Sequence, residues 1–449
     1  GGVCMFQNSI GVQVPDILLP REGVSMEKWA VVACDQFTSQ PEYWAEAERI
    51  VGDAPSTLRL MLPEMYLDKP GEAERIAAIN ATMDRYMEDG TLTSRGKGFV
   101  FVRRTVDGKT RNGLIVALDL EQYDYSRGSE TLIRASEGTI VERIPPRLRI
   151  RKDAALELPH ILVLIDDPAC TVIEPLAAAA NAATQLYDFD LMLGGGHIEG
   201  YLIQDADKIN GALRALEALA DPARFAAQYG EGKAPMLFAM GDGNHSFATA
   251  KANWEALKQQ LSPAERETHP ARYALVELEN IHDPGIVFEP IHRVLFNIDT
   301  EQALRFLVER LAADNGACKL NRFESKADCD ALIKIAQTCG GHILPFVFAG
   351  GYGYLKVNAP TAQLEVGTLQ NALDALLKAF PQASIDYIHG ADVVNELGAK
   401  PGNLGFLLPP MAKSAFFPTV VFDGALPRKT FSMGEANEKR YYLECRKIK

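Results

Sequence analysis

At 449 residues the chain exceeds what one ordinary hydrophobic core holds, so two or three domains are expected. Hydrophobic residues make up 47% and charged residues 23%, a globular balance, and the net charge of −13 argues against a broad nucleic-acid surface. No apolar run approaches the roughly 18 residues of a membrane span, so the expected partner is a small molecule, not nucleic acid or membrane.

The opening residues lack the layout of a secretory leader. Cysteines stand at 4, 34, 170, 318, 329, 339 and 445, an odd number with no Cys-x-x-Cys pair. A reducing, cytoplasmic compartment is the expectation. Oligomeric state is not legible.

Helical patterns come first, at 41–50 and at 72–87, where Ile76, Ile79, Met83 and Met87 recur at helical spacing. Residues 98–104 and 114–120 read as strands joined through Asp107-Gly108, a hairpin signature. The middle then alternates: a strand at 161–165, a helix at 172–186, a strand end at 201–204 and a helix at 210–219. An apolar run at 235–239 leads through a glycine turn into a helical pattern reaching about 261, and 272–278 is a further central strand. From about 299, helices at 303–313, 326–336 and 369–379 accompany a hairpin of 343–348 with 352–357. This alternation predicts an α/β (mixed α+β), multi-layer fold with a mixed sheet core. The expected division is a main α/β domain over 1–298, a smaller α+β domain over 299–398, and a strand-rich tail over 399–449 returning to the main core.

The densest chemistry lies at 240–251, Met-Gly-Asp-Gly-Asn-His-Ser-Phe-Ala-Thr-Ala-Lys. Gly241 and Gly243 allow positive φ and close approach of a ligand. Asp242, Asn244, His245 and Ser246 crowd the first helical turn, whose unpaired N–H groups and partial positive charge suit a phosphate or carboxylate. The same residue types are also ordinary caps and turn formers, and spacing alone does not separate the two readings.

Other polar groups are spread along the chain. Arg134, Glu137 and Thr139 precede Glu142, Arg143, Arg147 and Arg149, either a phosphate-matching set of forks or a salt-bridged loop. Glu279 and His282 end a predicted central strand, where open α/β sheets bind ligands, and Glu289, His292 and Arg293 follow. His197 and Glu199 sit in a glycine-rich stretch that reads as a lid or a bulged strand. The basic loop 427–432 carries Lys429, and 35–39 leads into a helix with Ser39 as an adequate N-cap.

Taken in order, Asp35 to Ser39, Glu137-Gly138-Thr139, Asp242-Gly243-Asn244-His245, Pro290-Ile291-His292-Arg293 and Pro427-Arg428-Lys429 resemble the bacterial and archaeal domain-of-unknown-function family 1015 over nearly the whole chain. In that family's commoner form the turn reads Asp-Gly-His-His-Arg. That string is similar to the nucleotide-phosphate turn of the ParB/sulfiredoxin-like fold, which includes free-serine kinases. The resemblance implies such an element around 235–260, ATP or ADP at the helix start, Mg²⁺ on the phosphates, and a small hydroxy or amino acid as acceptor. Asp242, Gly243 and His245 match, whereas Asn244 replaces the first His and Ser246 replaces the Arg. A fixed positive charge is lost, which Arg134, Arg293 or Lys429 would have to supply.

Three functions are consistent with these residues. In a kinase-like phosphotransferase, Asp242, His245 and Glu279 are the catalytic candidates. Gly241, Gly243, Asn244, Ser246, Arg134, Glu137, Thr139, His292, Arg293 and Lys429 are then the ligand- and phosphate-binding ones. A non-catalytic sensor of a nucleotide or phosphorylated metabolite would use the same turn. A metal-dependent hydrolase would gather His197, His245, His282 or His292 around one ion, although no standard zinc spacing is present. No haem, flavin or iron–sulfur cluster is expected, and the metal is otherwise unknown.

Overall fold

A computed structural model describes residues 6–449, which form two compact units, one of residues 6–287 with 433–449 and one of 288–432. Cys4 lies outside the described residues. Among them no helix is long and apolar enough to cross a membrane.

The first unit is built on a nine-stranded mixed sheet. Its order is Gln185–Asp190, His197–Ile203, Phe99–Val106, Lys109–Asp119, Tyr273–Asn280, Leu162–Ile165, Phe238–Asp242 and Ile133–Arg134, with Val12–Gln13 also paired to Lys109–Asp119. Two pairings are parallel, Tyr273–Asn280 with Leu162–Ile165 and Phe238–Asp242 with Ile133–Arg134. Period-two alternation gives the sheet two apolar faces. Phe99 and Phe101 point into one core with Val163, Met240 and Val276, covered by helices Ala206–Leu219 and Asn244–Lys258 through Leu213, Leu216, Phe247 and Trp254. Val100 and Val102 point into the other core with Ile115 and Leu275, covered by Trp29, Trp44, Ile79, Met83 and the C-terminal Tyr441 and Tyr442.

The hairpin at Asp107-Gly108 forms as its sequence predicts. Both residues take positive φ, 50° and 76°, between the paired Val106 and Lys109. The helix expected at 172–186 does not form. Only Glu174–Ala179 coils, as a 3₁₀ turn, and Gln185 already begins the edge strand. Polar side chains stop it, because the Asn181 Oδ1 accepts from Ala183 N–H and the Thr184 hydroxyl donates to the Ala179 carbonyl.

The second unit carries a six-stranded antiparallel sheet in the order Lys319–Phe323, Gly351–Val357, His342–Phe348, Leu404–Phe406, His292–Phe296 and Ser384–Ile388. The block expected at 299–398 lies inside it. The stretch 404–444 is less strand-rich than its composition suggests, since Lys413–Asp423 is a helix burying Phe416, Phe417, Val420 and Val421. The last strands return to the first unit, Tyr441–Tyr442 on Val31–Val32 and Arg446–Lys447 on Leu156–Glu157.

Candidate functional site

Strand Phe238–Asp242 runs antiparallel to Leu162–Ile165 and ends with Asp242 opposite Leu162. Gly243 follows at φ +90° and starts the helix Asn244–Lys258 with no side-chain cap. The first carbonyl-bonded amide is that of Phe247, which donates to Gly243. Both glycines lie in close contact with their surroundings. A Cβ on Gly241 would lie 2.9 Å from Met433 Sδ, and one on Gly243 would lie 3.1 Å from Ile161 Cγ1. Asn244 does not cap its own helix. Its Oδ1 accepts from Ser136 N–H at 3.0 Å and its Nδ2 donates to Ser136 Oγ at 3.2 Å, pinning the 136–140 segment over the turn.

His245 Nε2 accepts the Ile140 N–H at 3.3 Å, which places the imidazole proton on Nδ1. Burial, with Arg143 and Arg147 nearby, lowers its pKa to about 4. The ring is therefore neutral at pH 7 and sits in a positive field. Arg147 is bound to Glu64 at 2.6 Å and to the Arg143 carbonyl, whereas Arg143 is exposed. At the strand end, Lys439 Nζ lies 3.4 Å from Asp242 Oδ2.

Ser246 has different partners. Its Oγ lies 2.9 Å from His160 Nε2, and His160 Nδ1 lies 3.0 Å from the Tyr442 hydroxyl. That hydroxyl accepts the Cys34 N–H at 3.2 Å. Asp35 Oδ2 is 3.9 Å from His160 Nε2. Ser246, His160 and Tyr442 line one cavity of about 150 Å³.

The expected residues only partly converge. Asp242, Gly243, Asn244, His245 and Ser246 form the turn, and Thr139 sits next to its clamp, with its hydroxyl beside that of Tyr123. Glu137 belongs to the same 136–140 segment. Arg134 is buried, and its guanidinium donates to the carbonyls of Thr131 and Ala234 at 2.8 Å, so it acts as a backbone clamp. Glu279 is wholly enclosed, 3.4 Å from Arg111. Burial raises its pKa well above the carboxylate range, with Arg111 opposing and Glu277 reinforcing the shift. His292, Arg293 and Lys429 belong to the second unit. There Arg293 donates to the carbonyls of Ile291, Arg428 and Lys429, and His292 Nδ1 accepts the Leu408 N–H. Ser39 does not cap the helix Pro41–Val51, whose N-cap is Gln40.

The histidines proposed around one ion are dispersed. His197 lies five strands from Phe238–Asp242, about 24 Å at the usual strand spacing, and is bound between Asp188 and Asp190. Those carboxylates, led by Asp190, raise its pKa, which favours the protonated ring over a metal ligand. Asp188, His197 and Glu199 do lie close enough to hold an ion. His282 is bonded to Asp166 at 2.6 Å, at the opposite end of the sheet from His245.

Lys439, His160 and Tyr442 carry no motif in the sequence. His160 alone had a signal, standing just before the apolar strand that pairs with the glycine turn.

Set against known proteins, the profile of the family described as "Protein of unknown function (DUF1015)" matches residues 18–376. No curated protein matches the chain. Similar solved structures include a free serine kinase in complex with AMP, at 9% identity and a TM-score of 0.38, covering 74% of this chain and 92% of that one. A conserved hypothetical protein from Pyrococcus furiosus aligns at 11% identity and a TM-score of 0.34, covering 73% and 90%. SbnI with C-terminal truncation from Staphylococcus aureus aligns at 10% identity and a TM-score of 0.33, covering 73% and 82%. At these scores the resemblance is remote, and nothing about the site follows from it.

Proposed function

The chain belongs to the DUF1015 family, a family of unknown function, and we propose that its 241–246 turn binds a phosphate-bearing small molecule, a nucleotide or a phosphorylated metabolite. What supports this is the side-chain-uncapped start of a 15-residue helix at Gly243, with the charges of Arg143 and Lys439 beside it. Three amides there precede the first carbonyl-bonded one, and the helix dipole adds to their pull on an anion. The neutral His245 offers Nδ1–H as a further donor. Arg143 and Lys439 supply the charge that Ser246 does not.

The activity that follows from this reading is kinase-like transfer to a small hydroxy or amino acid. Phosphoryl transfer asks mainly for positioning and charge neutralisation, which amides and two cations provide. In this reading Asp242 either takes the acceptor's proton or holds Mg²⁺. Mg²⁺ is commonly held by one or two carboxylates plus substrate phosphates, and the half-buried Asp242 suits that role. When bound, the ion would neutralise phosphate charge.

The test is a thermal-shift and calorimetric screen with AMP, ADP, ATP, phosphoserine and inorganic phosphate, with and without Mg²⁺. A ligand at a hundred times its Kd should stabilise the fold by about 2.7 kcal/mol. Arg143→Ala and Lys439→Ala should each weaken it roughly tenfold, in line with about 1.5 kcal/mol for a charged hydrogen bond. Binding without turnover across hydroxy and amino acids would favour the sensor role. No shift with any compound, or shifts untouched by both variants, would refute the phosphate site.

A further inference from the structure

We propose that Ser246 is a nucleophile toward short-chain acyl esters and thioesters, with His160 as its general base and the adjoining apolar cavity as the acyl pocket. This does not rest on the phosphate reading, although both use the start of one helix.

An activated serine needs a base within hydrogen-bond reach and a third group that orients the base. Ser246 Oγ and His160 Nε2 are 2.9 Å apart, and Tyr442 holds His160 Nδ1 at 3.0 Å. The Tyr442 oxygen is itself fixed by the Cys34 N–H. With the imidazole proton on Nδ1 and donated to Tyr442, Nε2 presents a lone pair to the Ser246 proton. Asp35, 3.9 Å from Nε2, lies where it stabilises the imidazolium that forms. Ser246 is the third residue of its helix, so the oxyanion develops at the positive helix end.

The cavity defines the substrate class. Leu60, Leu62, Met83, Leu156, Leu158 and Leu275 give it an apolar wall. The charged residues that line it are paired with one another, Arg147 with Glu64 at 2.6 Å and Arg151 with Glu157 at 3.1 Å. An uncharged tail therefore fits. About 150 Å³ is the size of a cavity that takes a benzene ring, so an acyl chain of about four to six carbons fills it.

The chemistry balances with water as the only co-reactant. Ser246 Oγ bonds to the acyl carbonyl carbon and its proton passes to His160 Nε2. The bond from that carbon to the alcohol or thiol breaks, and the leaving group takes the proton from His160. Water, deprotonated by the same nitrogen, then cleaves the acyl-serine. A carboxylic acid is released and the Ser246 hydroxyl is restored.

The experiment is labelling of the full chain with a fluorophosphonate probe, read by intact mass and peptide mapping, alongside hydrolysis of p-nitrophenyl butyrate, hexanoate and decanoate. One adduct per chain is expected, on Ser246. It should vanish in Ser246→Ala and form at least about 100-fold more slowly in His160→Gln. Butyrate and hexanoate should be cleaved faster than decanoate. An unlabelled wild-type chain, or an adduct mapped to another residue, overturns the proposal whatever the variants do. So does ester hydrolysis that persists in Ser246→Ala. Because no phosphate ligand enters the assay, its failure is distinct from failure of the phosphate site.

Discussion

Two glycines make a matched pair for testing why the turn is built as it is. Gly71 and Gly243 both occupy the N-cap of an α-helix in left-handed conformation, with φ of 86° and 90°. An L-residue in that conformation costs about 1–2 kcal/mol at either place. The surroundings differ. A Cβ at Gly71 meets nothing within 4 Å, whereas one at Gly243 lies 3.1 Å from Ile161 Cγ1 and 3.2 Å from Ile161 Cα. The Cα belongs to backbone entering the sheet, and Ile161 is itself buried, so neither atom yields easily. Overpacking of this kind adds about 1–3 kcal/mol. Gly71→Ala should therefore cost about 1–2 kcal/mol and Gly243→Ala about 2–5 kcal/mol. Trp29, Trp44 and Trp254 are the only tryptophans and all lie in the first unit, so urea unfolding followed by their fluorescence reads that unit alone. The difference should move the midpoint by roughly 0.5–1 M. Gly243→Ala should also abolish ligand-induced stabilisation, and Gly71→Ala should keep it. Equal midpoint shifts would mean that Ile161 gives way, and would refute the close-packing argument.

Three further outcomes are expected. His245 should titrate near pH 4 by NMR, not at its ordinary value of 6.5. Since its folded pKa lies below the unfolded one, its contribution to stability is present above pH 6.5 and is lost as pH falls toward 4. Discounted for partial exposure, that is about 1–2 kcal/mol, and His245→Gln should flatten this acid limb. Glu279 has the opposite sign: its folded pKa is raised, so its contribution is present below the unfolded value of 4.5 and lost as pH rises. Glu279→Gln should gain on the native chain by up to about 1.4 kcal/mol per pH unit above 4.5, and a pH-independent difference would contradict the buried, protonated carboxyl. In the second unit, Arg293→Lys replaces a fork that holds three carbonyls by a single ammonium. It should cost about 2–5 kcal/mol and raise amide exchange across 428–430; unchanged protection there would show that the clamp is not needed.

Local pattern carried much of the fold and only part of the site. Ile79 and Met83 announce their helix because four residues is one turn, and Asp107-Gly108 announces its hairpin because both residues tolerate positive φ. The 172–186 segment misleads because its apolar content is high, while Asn181 and Thr184 draw the backbone bonds that a helix needs. The roles of the arginines are hidden from local sequence. Arg134 and Arg293 are written into ligand-like strings, yet each guanidinium ends on main-chain carbonyls. Which arginine meets a ligand depends on which carbonyls the fold leaves unsatisfied, a property of tertiary packing. Lys439 reaches Asp242 because the final segment folds back onto the first unit, and nothing near either residue encodes that return.

The same geometry leaves no room for a cation at position 246. Ser246 Oγ lies at hydrogen-bond distance from a buried imidazole, on the wall of a cavity whose other charges are already paired. A guanidinium on that vector would run into His160 or enter the apolar pocket, where an unpaired charge is costly. The cations at this turn therefore sit outside the helix, on Arg143 and Lys439, and Lys439 is partly neutralised by Asp242. A phosphate held this way relies on amides and the helix dipole more than on a fixed fork, so its affinity should fall with ionic strength less steeply than at an arginine-rich site. The first turn thereby carries both kinds of chemistry, amides without carbonyl partners and a hydroxyl on an imidazole.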